Sequence, residues 1–540
     1  MAAMKPRPAA TLALMRERGG AIEVLMLQRT QSAAFLGGAY VFAGGSLDPA
    51  DDDGRVVARV RGLGMPMPPV AYWVAAIREC FEEAGVLLAC DAQGQFVSAE
   101  RAASLAHYRK KPFIELLQAE DLYLPASELA YFGHWITAPG RARRFDTRFF
   151  VAMAPEGQEG SHDANETVHA LWIAPHEALE HASRGEIELV HATRESLNLI
   201  KGFNTAGEVL RHVRALKEVE ENRACVALGK GGEKVFRRID PQYFEIHWSD
   251  PEETGTTTYD LVAGEPKRLD RYVTRLTAPN PGMMTGPGTN TYIVGLSGPS
   301  GDHAVIDPGP DIATHIEKIL AFGNIKWVLC THTHMDHSPA AAAIKKATGA
   351  QVLGRPAPAG QDATFKPDHV LDHGQHVDIG GITLRAIHTP GHASNHLCYM
   401  LEQTKMLFTG DHVMQGSTVV INPPDGDMRA YLASLRKLLD DEDIAIIAPG
   451  HGYLIGAPKK ELARLIAHRL AREEKVVNAL VKIGPASVDE LLPLVYDDVP
   501  VRVHRVAARS LTAHLDKLTA DGAVRTSGER YALVKSRTAG

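Results

Sequence analysis

The stretch Thr331-His332-Thr333-His334-Met335-Asp336-His337 brings three imidazoles and one carboxylate within six residues. It follows an apolar run, residues 325–330, which has the composition of a buried strand. These polar residues would therefore lie on the loop at the C-terminal end of that strand, where open α/β sheets carry their sites. Imidazole and carboxylate suit Zn²⁺ and also accept Mn²⁺ or Fe²⁺. Four such close ligands cannot all reach one ion without strain, so the spacing predicts two metal ions.

Three further short apolar runs each lead into a histidine or an aspartate. Residues 382–387 precede Thr389-Pro390-Gly391-His392, residues 406–408 precede Gly410-Asp411-His412, and residues 444–447 precede Pro449-Gly450-His451-Gly452. Together with the H-x-H-x-D-H stretch, these segments resemble the metallo-β-lactamase fold superfamily over about residues 268–480. The resemblance implies an αβ/βα sandwich that carries two metal ions.

The resemblance also assigns a role to each candidate ligand. It implies that His332, His334 and His392 bind one metal ion, that Asp336, His337 and His451 bind the second, and that Asp411 bridges the two. Asp336 would in addition steer the nucleophile. A bridging aspartate is similar to the hydroxyacylglutathione hydrolases and the metallo-ribonucleases, whereas true β-lactamases lack it, so antibiotic hydrolysis is disfavoured.

Composition and charge limit the classes of function. A chain of 540 residues predicts two to four domains, and its 45% hydrophobic and 23% charged residues are ordinary for globular proteins. A net charge of -7 argues against strong nonspecific binding to nucleic acid or to an anionic membrane. Five scattered cysteines without a C-x-x-C pair favour a reduced, cytoplasmic setting. No apolar run approaches the ~20 residues of a membrane span.

A second group of candidate ligands lies in Arg78-Glu79-Cys80-Phe81-Glu82-Glu83-Ala84-Gly85-Val86, inside a helical pattern over residues 70–88. Glu79, Glu82 and Glu83 fall at i, i+3 and i+4, so three carboxylates would share one helical face. Such crowding is unfavourable unless a cation neutralises it, and ligands that offer only oxygen indicate Mg²⁺ or Mn²⁺. The alternative is a solvated acidic helix face.

This segment resembles the Nudix box, G-x5-E-x7-R-E-U-x-E-E-x-G-U. Asp51 stands where the box has its first glutamate, and 26 residues separate it from Arg78 instead of seven. The coenzyme A diphosphatase branch carries such an insert, whose residues 62–69 should form a surface loop. Its upstream signature is matched from Leu25 to Gly45, except that Ala34 replaces an arginine and Ala43 replaces a proline. The lost arginine weakens the case for coenzyme A itself.

By this resemblance, residues 5–215 form a Nudix α/β/α sandwich in which Arg78 braces the glutamates, and Glu79 and Glu166 serve as catalytic candidates. Glu166 is placed like the extra acidic residue outside the box, as a metal ligand or a base. Residues 132–137 and 143–150 should pair as strands. The arginines that join them, Arg141, Arg143 and Arg144, would meet a pyrophosphate or form a solvated turn.

The remaining segments divide the rest of the chain. Residues 216–266 form a connector, with short strands expected near 235–236 and 243–247, and residues 267–480 form the metallo-β-lactamase-fold domain. Residues 481–540 resemble a winged-helix domain, with a helix after Ser487, two more helices within 503–518 and wing strands at 523–525 and 531–534. A similar tail ends the branch that contains the small lactamase-like endoribonuclease of eukaryotes. The tail is nearly neutral, so packing and homodimer formation stay open beside nucleic-acid contact.

The sequence therefore predicts an α+β and α/β multidomain fusion of two hydrolases, one with two Zn²⁺ ions and one dependent on Mg²⁺ or Mn²⁺. Two substrate classes compete for the C-terminal site, namely a thioester or other small ester and single-stranded RNA. The Nudix fusion favours the thioester, whereas the winged-helix tail favours RNA. A further alternative makes the Nudix domain only a binding module for nucleoside diphosphate derivatives.

Overall fold

The computed structural model describes residues 4–31, 37–63, 67–163, 167–296 and 301–534. The chain divides into two compact units, one of Met1–Val226 with Glu252–Gly255 and one of Ala227–Pro251 with Thr256–Gly540. Two sequence-predicted positions, Ala34 and Glu166, lie outside the described residues. Within the described ranges, no helix is both long enough and apolar enough to cross a membrane.

The first unit is built around an eight-stranded sheet. Its strands are β1 (Arg7–Arg18), β2 (Ala21–Arg29), β3 (Tyr40–Val41), β4 (Ala43–Ser46), β7 (Ala130–Ile136), β8 (Phe145–Met153), β9 (Thr167–Ile173) and β10 (Glu221–Arg223). Two short strands, β5 (Val60–Arg61) and β6 (Leu124–Pro125), pair separately. The helices are α1 (Gly54–Val57), α2 (Val70–Glu79), α3 (Ala99–Ser104), α4 (Phe113–Ala119), α5 (Pro175–Ser183), α6 (His191–Ile200) and α7 (Ala206–Arg214).

Strand β1 lies in the middle of this sheet, antiparallel to β2 and parallel to β8. Successive side chains of a strand point to opposite faces, and here both faces are covered. Leu12 and Leu14 pack with α2 residues such as Ile77, whereas Met15 packs with α6 and α7 residues such as Leu210. The predicted helix–sheet–helix sandwich is confirmed, and it explains why β1 is apolar on both of its faces.

The helix that carries the N-terminal glutamates differs from the predicted regular helix. It is α-helical only to Glu79, continues as a π turn over Cys80–Ala84, and ends at Gly85. Gly85 adopts a φ of 67°, a left-handed conformation that glycine enters without strain. Glu82 and Glu83 therefore lie on a wider turn than Glu79, so the three side chains do not follow the spacing of an α-helical face.

The second unit contains two larger sheets. One is β13 (Pro266–Arg268), β14 (Val273–Thr277), β15 (Asn290–Gly295), β16 (His303–Ile306), β17 (Ile325–Leu329), β18 (Gln351–Gly354) and β19 (His369–Val370), in chain order. The other is β20 (His376–Ile379), β21 (Ile382–His388), β22 (Leu397–Leu401), β23 (Met406–Gly410) and β24 (Ile446–Pro449). The remaining short strands are β11 (Cys225–Ala227), where the chain passes into this unit, β12 (Lys234–Phe236), β25 (Val524–Ser527) and β26 (Arg530–Leu533).

The helices of this unit are α8 (Tyr243–Ser249), α9 (Ala313–Leu320), α10 (Ala340–Thr348), α11 (Met428–Asp441), α12 (Pro458–Ile483), α13 (Val488–Val495) and α14 (His504–Ala520). Helices α9 to α12 cover the outer faces of the two sheets, whereas α13 and α14 pack with the end of α12 in a core of their own. Leu329 and Tyr292 from one sheet pack against Leu384 and Phe408 from the other in a shared core. A separate apolar layer lies under α9 and α10, and another under α11 and α12. The predicted αβ/βα sandwich is confirmed.

Two element predictions in this unit are wrong. Residues 243–247 form the start of helix α8 and not a strand, because Tyr243 and Ile246 bury the same face at a spacing of three. Residues 503–518 belong to the single helix α14 and not to two helices, since neither glycine nor proline interrupts the segment. The predicted helix after Ser487 is present as α13, with a capping box between Ser487 and Glu490, and β25 and β26 form the predicted hairpin.

A buried ion cluster ties α8 to the first sheet of this unit. Glu245 of α8 accepts hydrogen bonds from Arg275 Nη2 at 2.9 Å and from Lys267 Nζ at 2.7 Å, and all three side chains are buried. Burial alone would raise the pKa of Glu245, but Arg275 and Lys267 together lower it to about 2. Glu245 also accepts from the backbone N–H of Leu454, three residues after His451.

We expect Glu245→Ala to destabilise the second unit strongly. Removing one partner leaves the charges of Arg275 and Lys267 buried without compensation, which costs about 3–5 kcal/mol. Asp497→Ala, which removes an exposed partner of Lys475 in the same unit, should cost about 1 kcal/mol or less. Hydrogen-exchange mass spectrometry of peptides that cover β14 measures both changes. Equal effects of the two substitutions would contradict this role of Glu245.

Candidate functional site

The histidine-rich stretch and its downstream partners meet at one end of the two sheets of the second unit. The H-x-H-x-D-H loop leaves β17, and the loops that carry His392, Asp411 and His451 leave β21, β23 and β24 respectively. Strands β23 and β24 are parallel, so their carboxyl ends lie at the same edge. This is the edge at which open α/β sheets carry their sites, as the sequence predicted.

One cluster joins three imidazoles. His332 Nε2 lies 3.0 Å from His334 Nδ1, and His392 Nε2 lies 3.1 Å from the same atom. Burial is the main reason that the pKa of His332 falls well below its usual value and that the pKa of His334 falls to about 4. Burial lowers the pKa of His392 as well. Three neutral nitrogens that converge in this way are a good donor set for a transition metal.

A second cluster joins Asp336, His337, Asp411 and His451, whose candidate ligand atoms all lie within 4.8 Å of one another. Asp411 Oδ1 lies 3.3 Å from His451 Nε2 and 3.5 Å from His337 Nε2. The other oxygen of Asp411, Oδ2, lies 3.8 Å from His392 Nε2 in the first cluster. Asp411 thus stands between the two groups, where a bridging ligand belongs.

The electrostatics of the second cluster call for a cation. Burial lowers the pKa of His451, but the carboxylates of Asp411 and Asp336 outweigh it and raise that pKa to about 9. Asp336, Asp411 and Asp307 likewise hold the pKa of His337 well above its usual range against burial. Three buried atoms, His337 Nε2, His451 Nε2 and Asp411 Oδ1, have no hydrogen-bond partner among the described residues. A bound metal would satisfy all three and replace the protons.

Outer hydrogen bonds fix which nitrogen each histidine presents. His392 Nδ1 lies 2.8 Å from the carbonyl of Val420, and His451 Nδ1 lies 3.2 Å from the carbonyl of Gly288. His337 Nδ1 lies 2.9 Å from Asp307 Oδ2. Such partners set the tautomer, so His337, His392 and His451 each present Nε2 to the centre, whereas His334 presents Nδ1.

Asp307 is a functional residue that the sequence reasoning did not single out. Its carboxylate also accepts hydrogen bonds from the backbone N–H and the hydroxyl of Thr331, at 2.7 and 2.8 Å. It therefore joins the start of the ligand loop to His337. Asp307 has a φ of 50°, which few non-glycine residues adopt. The available signal was the Asp307-Pro308-Gly309 sequence after an apolar strand.

Space at the centre depends on a glycine in the P-G-H-G segment. A Cβ added at Gly450 would lie 2.7 Å from Asp411 Oδ1 and 2.8 Å from His337 Cε1. Any other residue would therefore displace two members of the second cluster, Asp411 and His337. The donor set fits two metal ions, of which one would be held by His332, His334 and His392 and the other by Asp336, His337 and His451, with Asp411 shared.

The N-terminal glutamates line a different cavity, of about 520 Å³. Arg78 Nη1 lies 2.8 Å from Glu79 Oε1 and 2.9 Å from Glu82 Oε2, and Arg78 Nε lies 2.8 Å from Asp51 Oδ1. Glu83 instead accepts from the backbone N–H of Gly44 at 3.0 Å. Arg78 thus braces Glu79 and Glu82 as the Nudix resemblance implies, and Asp51 takes part as the substitute for the first box glutamate.

The three glutamates converge less closely than the C-terminal ligands. Within the described part of the chain, the groups whose candidate ligand atoms lie within 4.8 Å of one another are the two clusters of the C-terminal site. Burial raises the pKa of Glu79 to about 7, and it also raises that of Glu82. A nearby cation would stabilise the charged form of these buried carboxylates. The cavity therefore suits a hard divalent ion that keeps several of its water ligands.

The arginines expected near a pyrophosphate separate into two kinds. Arg144 is buried and ion-paired with Glu253, and it also donates to the carbonyls of Thr137 and Met4. The prediction that Arg144 contacts substrate or forms a solvated turn is therefore wrong, because the side chain is buried and each of its three nitrogens donates to a group of the protein. Arg141 and Arg143 are exposed.

Comparison with known proteins finds three families in chain order. Residues 55–192 match the NUDT19 Nudix domain, residues 284–451 the metallo-beta-lactamase superfamily, and residues 487–532 the beta-lactamase associated winged helix domain. The order and kind of the three predicted domains are thereby confirmed.

Individual relatives each match part of this chain. A beta-lactamase-like protein 2 homolog of Caenorhabditis elegans is 30% identical over 270 residues, which cover 48% of this chain and 88% of that protein. An atrochrysone carboxyl ACP thioesterase of Aspergillus chevalieri is 34% identical over 260 residues, 45% of this chain and 78% of that protein. A solved Nudix hydrolase from Alicyclobacillus acidocaldarius is 28% identical and covers 38% of this chain and 96% of its own, with a TM-score of 0.35.

Metal analysis tests the paired clusters directly. Metal-replete protein should hold about two transition-metal ions per chain, as expected for a two-metal site. Asp411→Asn should lower this number, because Asp411 contributes to both clusters. Asp378→Asn, at an exposed position on β20, is the matched control and should leave the number unchanged. Inductively coupled plasma mass spectrometry gives the count. A value of zero in the unsubstituted protein would sink the assignment.

Proposed function

This chain belongs to the metallo-β-lactamase superfamily, and from that premise we propose that it is a fusion of a two-metal esterase with a Nudix diphosphohydrolase. The observation that supports this proposal most is the position of Asp411 between the two clusters of histidine and aspartate side chains. We propose Zn²⁺ for both C-terminal positions because five of the seven ligands are imidazoles. The proposal also includes a cytoplasmic setting and the bounds of each part. These are 5–215 for the Nudix domain, 216–266 for the connector, 267–480 for the metallo-β-lactamase-fold domain and 481–540 for the winged-helix domain.

When bound, the two ions would polarise the substrate oxygen and acidify an attacking water. The protein's own part is to hold three imidazoles in the first cluster and two carboxylates beside two imidazoles in the second. Asp336 is the acidic ligand with the more open side chain, 28% exposed against 12% for Asp411. It therefore stands where an incoming water arrives, and we assign it the role of orienting that water and accepting its proton.

A thioester is the substrate class that this site suits best. A thiolate departs without a proton donor, since the conjugate thiol has a pKa of about 8.5. Three exposed methionines lie on the segments that carry the site, namely Met335 between two ligands, and Met283 and Met284 on the turn that leads to Gly288. Their flexible apolar side chains suit an acyl chain. A thioesterase name among the relatives supports the same class.

RNA hydrolysis is the second candidate for this site, and one observation favours it. Arg505 and Arg509 are exposed in the first turns of α14 in the winged-helix domain, and Arg502 is exposed just before that helix begins. Arg505 and Arg509 are four residues apart and lie on one side of α14, where they would meet phosphates of a single strand. The negative net charge of the whole chain argues against this candidate.

For the N-terminal cavity we propose Mg²⁺-dependent cleavage of a phosphoanhydride in a nucleoside diphosphate derivative. Glu79, Glu82 and Glu83 would hold the ion, and Arg78 keeps two of these carboxylates in place. Glu79 is the candidate base because burial raises its pKa to about 7. Glu166 is retained as a further metal ligand or base. A purely nucleotide-binding Nudix domain is the outcome that would replace this proposal.

A substrate screen decides between the two candidates for the C-terminal site. With hexanoyl-coenzyme A, thiol release measured with a disulfide dye should be clear in the unsubstituted protein and fall by about two orders of magnitude or more in His332→Ala, which removes a metal ligand. His373→Ala, at an exposed histidine of the same unit, is the control and should keep full activity. Cleavage of a labelled single-stranded RNA without thiol release would favour the second candidate.

Chelation should separate the two sites by their metals. Carboxylates in an open cavity hold Mg²⁺ loosely, whereas imidazoles retain Zn²⁺ through dialysis. Mild chelator treatment and buffer exchange should therefore abolish diphosphatase activity, which added Mg²⁺ restores, and leave thioester cleavage intact. Glu82→Gln with Glu83→Gln should remove only the diphosphatase activity, and His332→Ala only the thioesterase activity. Recovery of both reactions by Mg²⁺ alone would refute the zinc assignment.

A further inference from the structure

The cavity beside the Nudix glutamates has a second wall that none of the family motifs includes. One wall carries Glu79, Glu82, Glu83 and Asp163, and the other is formed by residues 106–110. The second wall is basic, since it presents His107, Arg109 and Lys110 to the same space. Acidic and basic walls that face one cavity are the arrangement that a metal-bound anion requires.

Arg109 fastens this wall to the acidic helix. Its guanidinium donates to the carbonyls of Glu82 and Glu83, at 3.0 and 2.9 Å, and to the hydroxyl of Ser161 at 3.2 Å. All three of these hydrogen bonds are made to groups of the protein itself, so Arg109 is a positioning residue. It sets the distance between the basic wall and the end of the π turn, which leaves Lys110 and His107 to meet a ligand.

Lys110 and Lys111 differ sharply although they are neighbours. The Lys111 ammonium lies 4.9 Å from the centre of the Tyr108 ring, and Lys111 does not line the cavity. Lys110 lines it, is exposed, and has no hydrogen bond or ion pair within the described part of the chain. The positive charge of its ammonium group is therefore available to an anionic ligand.

We propose that Lys110 binds the diphosphate of a nucleoside diphosphate derivative at this wall of the cavity, and that His107 beside it contacts the sugar of the same ligand. The inference rests on the Nudix part of the proposed function, because the opposite wall is the one assigned to Mg²⁺. The metal neutralises one phosphate and Lys110 the other. His107 Nδ1 lies 3.0 Å from the carbonyl of Ser104, so in the neutral ring Nε2 is an acceptor, suited to a sugar hydroxyl.

Equilibrium binding tests this wall independently of catalysis. The probe is α,β-methylene adenosine diphosphate, whose bridging carbon resists hydrolysis, titrated calorimetrically into the full chain with Mg²⁺ present. Lys110→Ala should weaken binding about tenfold or more, as expected for loss of one charge-assisted contact. Lys111→Ala is the matched control and should stay within about twofold, while Lys110→Arg should recover most of the affinity. Adenosine, which lacks phosphate, should bind equally to all four proteins.

Each outcome has one meaning for the proposal. Equal weakening by Lys110→Ala and Lys111→Ala, unchanged binding in Lys110→Ala, or failure of the unsubstituted protein to bind the probe would overturn it. If Lys110→Ala instead raised Mg²⁺ affinity and left probe binding alone, Lys110 would only balance the carboxylates, which also overturns it. Binding that depends on Lys110 without any diphosphatase activity would leave this wall standing and refute the catalytic proposal alone.

Discussion

The structure of the second unit depends on holding five imidazoles and two carboxylates within a few ångströms of one another in its interior. Burial favours neutral groups, and it lowers the pKa of His332, His334 and His392 accordingly. Around Asp336 and Asp411 the carboxylates outweigh burial and raise the pKa of His337 and of His451. A bound cation would satisfy the carboxylates and take the place of the histidine protons.

The surrounding elements keep this arrangement from relaxing. Strand ends of two sheets deliver the ligands from opposite sides, and the carbonyls of Val420 and Gly288 fix the rings. The His451 loop is held from behind by Arg275, which donates to Glu245, and by Glu245, which accepts from Leu454 N–H. The helix that supplies Glu245 comes from the segment predicted as a mere connector. That segment therefore helps to hold the loop of His451 in position.

The N-terminal cavity handles its charge in another way. Arg78 forms ion pairs with Glu79, Glu82 and Asp51, so part of their negative charge is compensated before any metal ion binds. A centre of this kind suits a weakly held, exchangeable ion, whereas the C-terminal clusters suit a resident one. The wide π turn and the basic wall at residues 106–110 leave room for an anionic ligand between them.

The sequence by itself determined the order of the domains, the kind of fold of each and which residues meet in the two clusters of the second unit. Ligands that follow short apolar strands can be read from local pattern, because strand and loop signals extend over only a few residues. Only the tertiary structure revealed the contacts of Asp307 and Glu245, the position of Lys110 in the N-terminal cavity and the buried ion pair of Arg144. It also showed that residues 243–247 are helical and that Glu82 and Glu83 lie in a π turn. These features depend on partners that are distant along the chain, and no local pattern records such contacts.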